Sequence, residues 1–130
     1  MPAASFDSHA FQGLIEVSDN ALIRAGAHES DMGGPTGAIR VLAAEVDMTS
    51  AQFLFRNNAV SDPLESAVSI QGPHAITGLQ VDGLQVVGAP LLVDVRPGAR
   101  GEAAFSHVTA KGANAGAVRV ADAGLFKLSR

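Results

Sequence analysis

The 130-residue sequence contains no cysteine, no tryptophan and no tyrosine, and its aromatic residues are six phenylalanines. The absence of cysteine excludes disulfides, thiol nucleophiles and thiolate metal ligands, although it does not identify a cellular compartment. The absence of tyrosine and tryptophan leaves few aromatic platforms for stacking against sugar rings. The composition therefore excludes thiol chemistry and disfavours tight glycan binding.

Charged residues are also scarce. Nine lysines and arginines against 13 aspartates and glutamates give a formal net charge of -4. No basic face is available for a phosphate backbone, so nucleic acid is not expected as a partner. No apolar run approaches the ~20 residues of a membrane span, and no lysine and arginine cluster marks a membrane surface. The first residues also lack the charged region and apolar stretch of a signal peptide.

Most apolar residues fall in short runs with polar residues interleaved at a period of two. Glycine, proline, asparagine, aspartate and serine separate these runs, which is typical of strands joined by turns. Long helices are difficult to place. A chain of this length forms one domain, and we predict that it is all-β, with strands at LIEV, AIRV, FLF, AVSI, LQVDGLQVV, LLVDV, AVRV and LFKL.

Two types of strand recur at intervals of about 25 residues. The first type starts at positions 37, 66, 91 and 116, in the segments GAIRV, SAVSI, LLVDV and GAVRV. The second type ends at Phe55, Val81 and Val108, and Val17 is its counterpart one coil earlier. Strands joined by hairpins need no such return, whereas each coil of a parallel β-helix pairs with the next.

We therefore predict a parallel β-helix, or solenoid, of about four to five coils. The coils occupy residues 13–130, and residues 1–12 form an N-terminal cap segment. The alternative is an antiparallel β-sandwich or jelly roll.

A parallel solenoid stacks equivalent residues about 4.8 Å apart, so the repeat also predicts which side chains are neighbours. Inward apolar ladders are predicted at Ile39, Val68, Val93 and Val118, at Val41, Ile70, Val95 and Val120, and at Phe55, Val81 and Val108. Outward columns are predicted at Arg40, Ser69, Asp94 and Arg119, and at Arg56, Asp82 and Thr109. These columns bring opposite charges together, and each such pair contributes about 0.2 to 1 kcal/mol.

The phrases VSDNAL and FRNNAV place Asn20 and Asn58 three residues beyond the ends of two such strands. Asparagine tolerates the left-handed backbone conformation, and its amide can bond local backbone or the equivalent asparagine of the next coil. We interpret both phrases as corners of stacked coils. The corresponding positions later in the chain are Gly83 or Leu84 and then Lys111 or Gly112. The alternative is that both phrases are ordinary turns of a β-protein.

The segments VSDNALIRAGAHES, GAIRVLAAEVDMTSAQFLFRNNAV, ITGLQVDGLQV, GEAAFSHVTAKGANAGAV and LFKLSR resemble the closing coils of right-handed parallel β-helix (pectin-lyase-like) carbohydrate enzymes. They are most similar to the mycodextranase and α-1,3-glucanase type, over roughly residues 13–128. The resemblance implies a secreted polysaccharide hydrolase with essential aspartates on the outer face of the helix. No catalytic aspartate motif of those enzymes matches a position here, so a catalytically incomplete glycan-binding fragment is the other form of this hypothesis.

Glycoside hydrolysis needs two carboxyl groups roughly 5 to 9.5 Å apart, and loops on a rigid scaffold are where a sugar groove is built. The densest polar clusters lie in two inserted stretches. We predict Asp31, Asp47 and Glu29 as catalytic residues and His28 and Glu45 as substrate-binding residues. The alternative for these stretches is a solvated loop.

The histidines predict no metal site, because His28 is not followed by a second histidine four residues later and His9, His74 and His107 are isolated in sequence. No nucleotide-binding motif is present, and we expect no cofactor. The expected partner is a polysaccharide or oligosaccharide. A structural or interaction solenoid, such as a fibre segment or virion decoration module, is the alternative function. We also expect copies to associate through coil ends, because terminal coils leave unpaired backbone.

Overall fold

In the computed structural model, the described residues are 4–7, 13–26, 37–43, 47–49, 51–112, 117–120 and 126–129. They form strands joined by turns, and they contain no helix. The strands are β1 (Ala4–Asp7), β2 (Gly13–Ser18), β3 (Ala21–Ile23), β4 (Ile39–Leu42), β5 (Ala51–Ser61), β6 (Ser66–Gln71), β7 (Ala75–Val87), β8 (Leu91–Val95), β9 (Arg100–Ser106), β10 (Thr109–Lys111), β11 (Val118–Val120) and β12 (Phe126–Ser129).

The strands stack in two parallel sheets. Sheet A has the order β1-β4-β6-β8-β11, and sheet B has the order β12-β9-β7-β5-β2, with β3 beside β5 and β10 beside β7. The chain alternates between the two sheets, and every pairing between named strands is parallel. The prediction of a parallel β-solenoid is confirmed, and the sandwich alternative is wrong. The solenoid has about three turns, slightly fewer than the four to five coils expected.

The predicted register is confirmed in sheet A. Ile39 pairs with Val68, Val68 with Val93, and Val93 with Val118. The second ladder pairs in the same order through Val41, Ile70, Val95 and Val120. Most of these side chains are buried, so the interior of the coil is a stack of branched aliphatic groups that fit a pleated, enclosed surface.

The third predicted ladder is correct at its start and wrong at its end. Phe55 pairs with Val81, but Val81 pairs with Phe105 and not with Val108. The outward column changes in the same way, because Asp82 pairs with Ser106 and not with Thr109. The error arose because the strand ends at Ser106, and the chain turns before Val108 is reached.

The outer face of sheet A is more enclosed than predicted. Ser69 and Asp94 belong to the column predicted as outward, and both are fully buried. The hydroxyl of Ser69 accepts a hydrogen bond of 2.9 Å from the backbone N–H of Gly37. Gly37 lies so close to β6 that an added Cβ would come within 2.7 Å of the Ser69 nitrogen. This segment therefore covers part of the sheet, which a period of two cannot reveal.

Two columns of left-handed residues bend sheet B. The first column follows β2 and β9 and lies within the longer strands β5 and β7. Its backbone φ angles are 61°, 54°, 79° and 53° at Asp19, Asn57, Gly83 and His107. The second column follows β3, β5, β7 and β10 at Arg24, Asp62, Gly88 and Gly112, all with positive φ. Left-handed conformations are uncommon for residues other than glycine. Their recurrence at the same position of successive coils shows that they set the corners.

Asn20 and Asn58 lie immediately after the first left-handed column. The backbone N–H and the side-chain amide of Asn20 both donate to Asn58 Oδ1 at 3.2 Å. Asn58 Nδ2 donates in turn to the carbonyl of Val17 at 3.0 Å. Both of the expected partners are present for Asn20, since its amide also donates to the carbonyl of Ser18 at 3.0 Å. The left-handed residue is the one before each asparagine.

Leu84 takes the position of Asn58 in the next coil. The expectation of Lys111 or Gly112 one coil later is wrong, because Thr109 pairs with Gln85 and Val108 therefore stands beside Leu84. The asparagine contact is thus replaced by apolar packing in the later coils.

Candidate functional site

A cluster of three polar side chains lies at the first corner of sheet B. Ser106 Oγ donates a hydrogen bond of 2.9 Å to Asp82 Oδ1, and His107 Nδ1 lies 2.8 Å from the same oxygen. Asp82 and Ser106 are neighbours because β7 and β9 pair in register there. His107 reaches the same carboxylate from the left-handed residue that follows. His107 and Asp82 lie 25 residues apart in the sequence, and the register of the coils brings them together.

The carboxylate of Asp82 is held in its charged form. The hydrogen bond from His107 lowers the pKa of Asp82 most, and the hydrogen bond from Ser106 adds to this. The positive charges of His107, when it is protonated, and of Arg56 act in the same direction. Arg56 pairs with Asp82 in the sheet, as predicted, and its guanidinium also lies 3.9 Å from a Glu16 carboxylate oxygen. A charged Asp82 accepts only, so it fixes the proton of a neutral His107 on Nδ1 and leaves Nε2 as an acceptor.

A concave surface adjoins this cluster. We call it the corner groove; it has a volume of about 310 Å³ and is lined by Asn57, Ala59, Gly83, Gln85, His107 and Thr109, with Asn58 beneath. It exists because the backbone bends at the left-handed column. Its polar lining consists of amides, a hydroxyl and an imidazole, so it presents uncharged hydrogen-bonding groups when His107 is neutral.

Asp47 is the one predicted catalytic residue within the described residues. Its Oδ1 accepts a hydrogen bond of 2.8 Å from the backbone N–H of Ala75 and lies 3.5 Å from His74 Nδ1. The side chain is 60% exposed. Asp47 thus ties the chain before β5 to the start of β7, and it remains open to solvent.

The structure does not bring Asp47 and Asp82 together. Asp82 is seven residues along β7 from Ala75, which corresponds to about 20 Å at the rise of an extended strand. Two carboxyl groups so far apart cannot flank one glycosidic bond. The other predicted site residues, His28, Glu29, Asp31 and Glu45, lie outside the described residues, and their roles stay predictions.

A buried carboxylate in sheet A forms a second charged centre. Arg119 Nε donates to Asp94 Oδ1 at 2.9 Å, and its NH2 group donates to Oδ2 at 2.8 Å. Arg96 lies 3.4 Å from Oδ2. The side chain of Asp94 is only 2% exposed, and the pair joins β8 to β11. The predicted contact between Asp94 and Arg119 is confirmed.

A larger cavity of about 740 Å³ opens between the last strands. Its lining is mainly apolar and includes Leu92, Phe105, Val108, Val118 and Leu128. His107 stands at its rim as well as at the rim of the corner groove. Within the described part of the chain, no group of three or more acidic or histidine side chains could hold a metal ion. No helix there is long and apolar enough to cross a membrane.

The stacked sheets and their register define a parallel β-solenoid. Among solved structures, the chain is similar to the catalytic unit of a thermostable GH87 alpha-1,3-glucanase from Streptomyces thermodiastaticus strain HF3-3. The two share 26% sequence identity with a TM-score of 0.85, and the match covers 97% of this chain and 26% of the glucanase unit. The resemblance to β-helix glucanases is confirmed, and this chain spans about a quarter of that unit.

The other comparisons gave no match. No model of a protein family matches the sequence, and no curated protein matches it.

Proposed function

We propose that this chain is a carbohydrate-active β-solenoid that recognises an α-glucan, either as part of a glycoside hydrolase or as a catalytically incomplete glycan-binding fragment of one. The observation that carries this proposal is the similarity to an α-1,3-glucanase catalytic unit over 97% of the chain, with a TM-score of 0.85. Because the chain covers 26% of that unit, the activity of the whole enzyme is not assumed for this chain.

In the hydrolytic form of the proposal, Asp31, Asp47 and Glu29 are the candidate acids, and His28 and Glu45 contact the substrate. Asp47 suits such a role in two respects. Its Oδ1 is fixed by the Ala75 N–H, which orients the carboxylate, and more than half of the side chain is open to solvent. A second carboxyl group within about 5 to 9.5 Å is required for hydrolysis, and Asp31 and Glu29 are the candidates for it.

The test is a combined hydrolysis and binding assay on insoluble and oligomeric α-1,3-, α-1,4- and α-1,6-glucans, with cellulose as a control polymer. We expect binding to at least one α-glucan. If the chain is hydrolytic, Asp31→Asn, Asp47→Asn or Glu29→Gln should abolish sugar release, whereas Asp62→Asn should not. Asp62 is a suitable control because it is exposed, lies at a left-handed corner and tolerates asparagine there.

The outcomes separate the two forms. Binding without sugar release supports the glycan-binding fragment, and release that is lost in an acidic variant supports the hydrolase. Absence of both binding and release on every α-glucan would contradict the proposal. Equal behaviour of the three acidic variants and the control would remove these residues as the site.

The apolar cavity between the last strands favours a second candidate function, association between copies of this chain. Its lining includes Val118, which is 43% exposed in the isolated chain, and burial of such surface favours association. Light scattering tests this directly. We expect the mean mass to rise with concentration, and a monodisperse monomer over a wide range would contradict it.

A further inference from the structure

We propose that the corner groove binds a saccharide edge-on through uncharged hydrogen bonds, with His107 Nε2 as an acceptor for a sugar hydroxyl. This inference rests on the proposed function and deepens it by assigning a subsite. It concerns residues on regular strands and at a corner, whereas the predicted catalytic residues belong to inserted stretches.

The form of the groove follows from the backbone. Gly83 occupies the left-handed corner between the Asn57 and His107 levels, with φ of 79°. The side-chain oxygen of Asn57 lies directly over Gly83, so that a Cβ at this position would overlap it. The Asn57 side chain therefore occupies the space that a side chain at position 83 would fill, and its exposed amide is part of the groove lining.

The lining offers hydrogen-bonding groups that the protein does not use elsewhere. Among the described residues, no side-chain hydrogen bond engages Asn57, Gln85 or Thr109, and all three are exposed. Their amides and hydroxyl can each donate and accept, as sugar hydroxyls do. Asn58 is different, because it is buried and committed to Asn20 and Val17. Asn58 therefore has a structural role, whereas Asn57, Gln85 and Thr109 are accessible to a ligand.

His107 is oriented in advance, which distinguishes this surface from an ordinary exposed patch. Its side chain is 83% exposed, yet Nδ1 is bound to Asp82, whose carboxylate is also bound by Ser106. In neutral His107 these contacts place the proton on Nδ1, and Nε2 is the nitrogen directed away from the carboxylate. Ligand binding benefits when a polar group is ordered before the ligand arrives. Asp82 and Ser106 are therefore positioning residues.

The size and direction of the groove also suit a chain of sugars. A volume of about 310 Å³ lies at the lower end of the range for small-ligand sites. Its residues come from three successive coils, which lie about 4.8 Å apart. A ligand that contacts Asn57, Gln85 and His107 together must run along the solenoid axis. With no tyrosine or tryptophan in the chain, contact along the hydroxyl edge replaces stacking.

The experiment maps saccharide binding on the full chain by two-dimensional NMR, with oligosaccharides of α-1,3-glucan, α-1,4-glucan, xylan and mannan as probes. His107→Asn removes the imidazole and keeps a residue that tolerates the left-handed corner. Gln85→Ala removes one amide. Gln52→Ala is the matched control, since Gln52 is also an exposed glutamine of sheet B but lies outside the groove.

We expect the shifts to centre on the corner groove for at least one saccharide. Kd should rise about three- to tenfold in His107→Asn and Gln85→Ala, the range for one lost neutral hydrogen bond, and should not change in Gln52→Ala. Asp82→Asn should alter the imidazole nitrogen signals that report the tautomer and should weaken binding less than His107→Asn. Changed imidazole nitrogen signals together with a smaller loss of binding are not expected if Asp82 has only a structural role.

Two results would overturn this inference: no saccharide shifts the groove resonances, or His107→Asn and Gln85→Ala bind as tightly as the control. The failure of the proposed function is distinguishable. Binding of an α-glucan that maps elsewhere keeps the proposed function and rejects the groove. Binding of xylan or mannan in the groove, with no α-glucan binding, supports the groove and rejects the α-glucan assignment.

Discussion

Replacing Arg119 by methionine should destabilise the solenoid because it leaves the buried carboxylate of Asp94 with Arg96 as its remaining cation, at the longer distance of 3.4 Å. Arg119 makes two bonds to this carboxylate, at 2.9 and 2.8 Å, and the remaining partner, Arg96, is 3.4 Å away. Methionine keeps much of the length and apolar stem of arginine. The change therefore tests the charge and the hydrogen bonds more than the packing.

The magnitude follows from burial. Hydrogen bonds to charged groups contribute about 1.5 to 3 kcal/mol each, and removing one partner of a fully buried pair costs about 3 to 5 kcal/mol. The side chain of Asp94 is 2% exposed but that of Arg119 is 50% exposed, which reduces the effect. We expect Arg119→Met to lower the free energy of unfolding by about 2 kcal/mol. Asp94→Asn should lower it by about 1 to 2 kcal/mol, because it leaves no buried charge.

The double variant Asp94→Asn/Arg119→Met provides the decisive comparison. Its loss of unfolding free energy should be smaller than the sum of the two single losses by about 1 kcal/mol, because either single change already removes the interaction between the two side chains. Urea unfolding monitored by circular dichroism gives the three values. Arg100→Met is the control, because Arg100 is an exposed arginine at the start of β9, and it should change stability by no more than about 0.5 kcal/mol.

Local opening must be separated from global unfolding in a stacked fold, because terminal coils can open alone. Hydrogen exchange of the β8 and β11 amides resolves this point. Exchange of β11 should accelerate in Arg119→Met and remain unchanged in the control. The double variant could instead lose the sum of the two single losses to within about 0.3 kcal/mol, as independent sites do. That result would refute the reasoning that Asp94 depends on Arg119.

Three further predictions concern the corners and the acidic cluster. Asn58→Ala should lower the thermal stability by about 2 kcal/mol because it leaves the Val17 carbonyl without its amide donor, and an unchanged melting temperature would contradict this. Gly83→Ala should destabilise more than Gly98→Ala in urea unfolding, since both have positive φ but an added Cβ at Gly98 meets no atom within 4 Å; equal losses would contradict it. The stabilisation that charged Asp82 contributes should be present above its unfolded pKa of about 3.9 and should be lost as the pH falls through its lower folded pKa. The difference in unfolding free energy between the protein and Asp82→Asn should therefore shrink below about pH 4. A difference that is constant from pH 7 to pH 2 would contradict it.

The sequence predicted the stacking of sheet A residue by residue because its strands are short, start with a small or apolar residue and return at a nearly constant interval. Branched aliphatic residues at alternate positions then fix which side chains point inward. The pairing of Val68 with Val93 needed no more information than this. The charge pair between Asp94 and Arg119 followed from the same register.

Two features could not be obtained in this way. The segment FSHV contains two apolar residues three apart, and the period alone does not decide whether Phe105 or Val108 continues the ladder. The correct choice depends on the left-handed turn at His107, and histidine carries no strong signal for such a turn. The cluster of Asp82, Ser106 and His107 was missed for the same reason. Anchoring the strand on Phe105 would have placed Ser106 beside Asp82.

Burial of the outer face of sheet A was also beyond sequence analysis. Ser69 and Asp94 are polar residues at alternate positions, which is the pattern of a solvated face. Ser69 is contacted by Gly37, and the Asp94 carboxylate is contacted by Arg96 and Arg119. Coverage by a segment distant in sequence leaves no periodic trace in the strand itself.

The left-handed corners explain how the fold tolerates unequal coils. The chain between Val17 and Phe55 is much longer than the chain between Phe55 and Val81, yet both pairs stand side by side in sheet B. The dihedral angles of single residues determine the direction of each strand. The length of chain between two corners therefore does not change the register of the coils above or below. Such a scaffold can lengthen its loops one at a time, and new contacts with a ligand can be gained without any change in the alignment of the stack.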